Sequence, residues 1–195
     1  MGAMSEIARY LVDTVASIYL VIVVLRGLLQ ASQADFYNPI SQFIARATNP
    51  PLKVLRKLVP AGRRFDLSII VLALLVQIIG LVTTIMLSGF LPPDPFTVLI
   101  WATLGVVGLV VNLYLIAMIV MIVLSWVAQG SRHPAVLLVY QITEPVMAPV
   151  RSMLPAMGGL DFSPILIFIL INVIQIALRH MAVAVGLPAS LVIGI

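Results

Sequence analysis

The chain has 195 residues, of which 62% are hydrophobic and 9% charged, and its formal net charge is +4. It is too apolar for a water-soluble domain, so lipid must be the solvent for most of it. It has no cysteine, which excludes disulfides, thiolate metal sites, c-type haem attachment and a cysteine nucleophile together.

The first apolar run, 10–29, carries Asp13 and is long enough to cross a hydrocarbon core of about 30 Å, which takes roughly 20 helical residues. It reads as a spanning helix rather than a cleavable leader. In the connection that follows, 31–66, Asn38-Pro39 is a helix start, with Asn as cap and Pro at the first helical position. Ile40, Phe43, Ile44 and Ala47 then share a face. Asn49-Pro50 predicts a stop and a second short helix, with Leu52, Leu55, Leu58 and Val59 on one side and Lys53, Arg56 and Lys57 on the other. Helices this short cannot span and are expected in the headgroup region, basic face outward.

A second span covers 67–87, with Gln77 near its middle. The short link 89–95 leads to a third, 105–125, which carries Asn112 and whose helix is free to start near Phe96. In the connection 126–162, residues 134–143 are apolar nearly all round, which fits a re-entrant half-helix or an interfacial helix covered by another protein. The fourth span, 165–185, carries Asn172. Continuous apolar runs without alternation exclude barrel strands. The expectation is an all-α polytopic membrane protein with four transmembrane helices.

The second half repeats the first at an offset of 95 residues, Tyr19-Leu20 returning as Tyr114-Leu115. Pro39 returns as Pro134, Thr48-Asn49-Pro50 as Thr143-Glu144-Pro145, Arg56 as Arg151, and Asp66-Leu67-Ser68 as Asp161-Phe162-Ser163. Prolines and charges in fixed register indicate a duplicated unit, with boundaries at 1–93 and 94–195. Each unit has an even number of spans, so the two hairpins face the same way.

Basic residues set the orientation. The connection 31–66 carries Arg46, Lys53, Arg56, Lys57, Arg63 and Arg64, and 126–162 carries Arg132 and Arg151, against Arg9 and Arg179 toward the termini. Both long connections are therefore expected in the cytoplasm and both termini outside. Lys53, Arg56, Lys57, Arg63 and Arg64 form a candidate face for anionic lipid or an acidic partner, or serve only to set topology. No basic platform interleaved with aromatics points to nucleic acid.

Arg56, Asp66, Arg151 and Asp161 are charged positions that both copies keep. They fit either a paired polar site where the units meet, or two helix caps, each braced by an arginine. Gln77, Asn112 and Asn172 are candidates for lining a pathway or for hydrogen-bonding helix to helix. Asp13 and Arg179, both near outer helix ends, are a candidate pair. The two histidines, His133 and His180, lie far apart and have no carboxylate or serine at a recognisable spacing. No catalytic residue, metal site or cofactor is expected.

Ala34-Asp35-Phe36-Tyr37-Asn38-Pro39-Ile40-Ser41-Gln42-Phe43, then Thr48-Asn49-Pro50 and Leu55-Arg56-Lys57-Leu58-Val59-Pro60-Ala61, resembles the YggT family of small bacterial membrane proteins. The second copy, from His133-Pro134 through Asp161-Phe162-Ser163-Pro164, is similar to the same unit. The resemblance implies a bacterial inner-membrane protein with two copies of the unit. Family members are linked to osmotic-stress tolerance, maturation of a membrane cytochrome, and cell division or nucleoid organisation. It carries over no catalytic residues. The function expected is a non-enzymatic scaffold or assembly factor that meets lipid, a membrane-protein partner or a second copy through its amphipathic connections. The alternatives are a transporter, channel or ion-homeostasis component and, more remotely, a lipid-modifying enzyme.

Overall fold

A computed structural model describes residues 3–59, 62, 66–128, 130–153 and 161–188. Those residues form six helices: α1 (Ala3–Ala31), α2 (Pro39–Leu55), α3 (Leu67–Leu87), α4 (Pro95–Val127), α5 (Pro134–Met153) and α6 (Ser163–Ala184). Helices α1, α3, α4 and α6 are long and apolar enough to cross a membrane. The protein is a polytopic helical membrane protein.

Local chemistry sets the helix ends. Asn38 accepts from the Ile40 N–H at 2.9 Å, and Asp94 accepts from the Phe96 and Thr97 N–H groups at 3.1 Å, each ahead of a proline at the first helical position. α4 thus starts at Pro95, as Phe96 allowed, and runs 33 residues, about 50 Å. α3 closes on Gly89 at φ +80, where the Phe90 N–H returns to the Ile85 carbonyl at 3.2 Å. Only glycine takes that backbone without penalty.

One sequence expectation fails here. Asn49-Pro50 does not split the first connection, because α2 runs unbroken through Pro50 and Pro51. Pro51 removes the N–H that would bond the Ala47 carbonyl. The Tyr19 hydroxyl donates to that carbonyl from α1, at 3.4 Å. α5 likewise passes through Pro145 and Pro149, extending the apolar stretch 134–143 to Met153. The buried face of α2 is Ser41, Ile44, Ala45, Thr48 and Leu52, while Phe43 and Leu58 are exposed. Buried Thr48 bonds the Ile44 carbonyl at 2.8 Å and its repeat mate Thr143 bonds Val139 at 2.9 Å, so each hydroxyl is satisfied within its own helix.

In the first half α3 packs on α1 and α2 lies across both; in the second, α6 packs on α4 with α5 beside them. The halves join where α3 meets α4 and α2 meets α5, so both short connecting helices sit at one end of the bundle. Leu20, Val23, Val24 and Leu28 of α1 form the main core with Leu52, Leu72 and Leu109. The second half has its own core around Met118, Met121, Met147, Ile167 and Ile171.

Candidate functional site at the shelf end of the bundle

α2 and α5 form a shelf across the end of the spans, and each is tied to the next spanning helix by the repeated charges. Asp66 accepts from the Ser68 N–H at 3.0 Å through one oxygen and from Arg56 Nε and a terminal guanidinium nitrogen at 3.0 and 2.7 Å through the other. Asp161 repeats this with the Ser163 N–H at 2.9 Å and Arg151 Nε at 3.2 Å. Arg151 also reaches Glu144 at 3.3 Å. Each arginine thus clamps the end of its shelf helix to the cap of the next span. The pairs form within the copies and do not meet as one site between them. Ser163, through its N–H at 2.9 Å, and then the Arg151 guanidinium hold the Asp161 carboxyl below the usual carboxylate range.

What joins the two shelves is a pair of bonds the sequence did not reveal. Asn38 Nδ2 donates to the Pro134 carbonyl at 2.8 Å, and the Asp35 N–H donates to Gln141 Oε1 at 3.0 Å. At the repeat position of Asn38 stands His133, whose Nδ1 accepts from the Ala135 N–H at 3.3 Å, so it serves as a helix cap.

Beneath the first shelf an apolar cleft of about 220 Å³ opens between α1, α3 and α4, walled by Val24, Leu28, Ile69, Ala73 and Val106 with Gln30 and Asp66 at its edge. Half-buried Arg26 lies near Arg56 and Asp66, and its Nε has no hydrogen-bond partner among the described residues. Met121, inside the second core, occupies the equivalent position. Lys53 and Lys57 are exposed on the outer face of the first shelf, as is Arg46. Arg63 and Arg64, named from the sequence as part of that face, lie outside the described residues.

The intramembrane amides are not brought together. Gln77 is buried in α3, Asn172 is exposed on α6, and Asn112 accepts from Gln175 Nε2 at 2.8 Å across α4 and α6. Gln175 was missed from sequence, although it stands where the first copy has Gly80, a signal the repeat alignment holds. Asp13 does not pair with Arg179. It lies 3.7 Å from Arg9, four residues before it on the same helix, and accepts from Thr84 of α3. No group of three or more His, Asp or Glu side chains suited to a metal ion occurs among the described residues.

The chain matches the family described as CCB3/YggT twice, over residues 5–87 and again over 100–182. The chain belongs to the YggT family. An uncharacterised protein of Pseudomonas aeruginosa is 41% identical over 193 residues, 98% of each chain. The Escherichia coli K12 protein YggT, also uncharacterised, is 33% identical over 183 residues, 91% of this chain and 92% of its own. No solved structure gives a significant match. Each YggT match takes in one shelf helix with most of the two spans that flank it, so clamp, shelf and span belong to one unit of the family.

Proposed function

We propose that this YggT-family protein is a non-enzymatic scaffold or assembly and stress-tolerance factor of the bacterial inner membrane. It engages a membrane-protein partner or anionic lipid through the α2–α5 shelf, with the shelf in the cytoplasm and the termini outside. One observation carries this reading. The outer surface of the first shelf mixes exposed Phe36, Tyr37, Phe43, Val54 and Leu58 with exposed Arg46, Lys53 and Lys57. Apolar side chains of this size call for a cover. The interleaved cations suit an anionic one, at about 1 kcal/mol per basic residue near a charged membrane surface.

The test is crosslinking in native membranes followed by mass spectrometry, comparing wild type with Phe43→Ser and with Lys53→Glu/Lys57→Glu. Reproducible adducts on the shelf that both variants lose support the proposal. A shelf that crosslinks to nothing, protein or lipid, in wild-type membranes overturns it. A transport role needs a polar route, and Gln77, Asn112 and Asn172 lie on separate faces. Ion flux above that of empty liposomes after reconstitution would favour transport over the scaffold.

A further inference from the structure

The two repeats are joined head to tail, not face to face. α3 packs on α4, yet α6, the repeat mate of α3, does not touch α1, the mate of α4, among the described residues. Likewise α1 touches α5 while α4 does not touch α2. The junction is heterologous: it uses one surface of the first unit and a different surface of the second. Each end of the chain therefore keeps the half of a junction that the other unit has used.

Residue by residue, the unused halves are what stand exposed. On α4 the junction face holds Ala102 and Gly105, both buried, with Val106, Val110 and Leu113 packed against the main core. The same positions on α1, 95 residues earlier, are Ile7, Tyr10, Leu11, Val15 and Ile18, and all five are exposed. On α3, Gln77, Leu81 and Ile85 are buried, and the last two share a cluster with Val98 and Trp101 of α4. Their mates on α6 are Asn172, Ile176 and His180, again all exposed. Asn172 is left on the lipid face with its Nδ2 donating to the Phe168 carbonyl of its own helix at 2.8 Å, and it makes no bond to another helix among the described residues. The α1 stripe also opens on a groove of about 490 Å³ shared with α3.

We infer that a second copy of this chain docks its α6 stripe on the α1 stripe, repeating between chains the junction that α3 and α4 make within one. Charge supports this register. Glu6 stands at the position of Trp101 and His180 at that of Ile85, so the docking that brings Ile85 and Trp101 into one cluster sets His180 and neighbouring Arg179 beside Glu6. Neither Glu6 nor Arg179 has an ion-pair partner among the described residues. Because the junction is heterologous, the assembly is a ring where the rotation closes. It stands independently of what the shelf binds.

The chain has no cysteine of its own, so introduced thiols report without background. One copy carries Ile7→Cys and a co-expressed, differently tagged copy carries Ile176→Cys, both at exposed positions. Oxidation in native membranes is expected to give a disulfide-linked dimer holding both tags. Either variant alone is expected to stay monomeric, and so is the pair Val107→Cys with Ile176→Cys, since Val107 is exposed on α4 outside both stripes. Absence of the mixed dimer, or equal yield in the control pair, means that lipid covers these faces and overturns the inference. Glu6→Arg is expected to reduce the yield severalfold, and Arg179→Glu on the opposite copy to restore it. A yield indifferent to both overturns the register.

Discussion

The Arg56–Asp66 and Arg151–Asp161 pairs occupy the same place in the two repeats, yet their surroundings differ. The Asp66 side chain is fully buried and that of Arg56 is 31% exposed, with a closest approach of 2.7 Å. Asp161 and Arg151 are 44% and 49% exposed, at 3.2 Å, and Arg151 divides its charge with Glu144. Part of the difference lies outside the unit, since the cleft edged by Asp66 has Val106 and Val110 of α4 in its wall, a neighbour the second repeat does not have. A duplicated motif thus has a weight set by what covers it: the same ion pair is a core element in one copy and a surface contact in the other.

The largest test of that comparison is removal of the acid. Asp66→Ala leaves Arg56 unpaired at a partly buried site and removes the Ser68 cap, and is expected to lower stability by about 3–5 kcal/mol. Asp161→Ala is expected to lower it by about 1 kcal/mol or less. Denaturation in detergent micelles measures both, and equal losses would end the argument from cover. A second contrast lies between the spanning helices. A side chain at Gly80 would place its Cβ 3.0 Å from that of Ala16, so Gly80→Val is expected to cost about 1–3 kcal/mol by forcing α1 and α3 apart. At the matching site of the second repeat, Gln175→Ala loses only the bond to Asn112, roughly 0.6–2 kcal/mol. Smaller again is Tyr19→Phe, which leaves the Ala47 carbonyl without its donor at a proline-opened turn. About 1 kcal/mol is expected in the same assay.

Much of this was legible in the chain and some was not, for physical reasons. Spans follow from composition, because lipid demands continuous apolar helices, and Asn38-Pro39 marks the start of α2 by cap chemistry, whereas the Asp94-Pro95 start of α4 was allowed only as a beginning near Phe96. The clamps were legible because two charges returned in register ten residues apart, although spacing alone did not say whether they pair within or between copies. The unbroken α2 was hidden, since Pro50-Pro51 reads locally as a break and only Tyr19, from another helix, relieves it. The face of α2 was misjudged for a related reason: its buried side has Ser41, Ala45 and Thr48, small residues that admit a close neighbour, so hydrophobicity pointed at Phe43 instead. Bonds such as Asn38 to Pro134 join elements far apart in sequence and leave no local signature.

The smallest expected effect is a matter of pH and concerns the second clamp. Ser163 and Arg151 favour ionised Asp161, so its carboxyl titrates below the value of about 3.9 it has in an unfolded chain. A group depressed in the folded state contributes stability that is present above the unfolded value and is lost as pH falls through the folded one. Acidification below about pH 4 is therefore expected to loosen the link between α5 and α6 before the bundle itself unfolds. With both side chains half exposed the effect is small and is screened by salt. A spin label on Ser152 should gain mobility over that range at low ionic strength, less so in high salt, and Arg151→Gln should shift the midpoint upward. A midpoint unmoved by Arg151→Gln would mean that Ser163 alone holds the carboxylate, and that the second clamp is a cap without a brace.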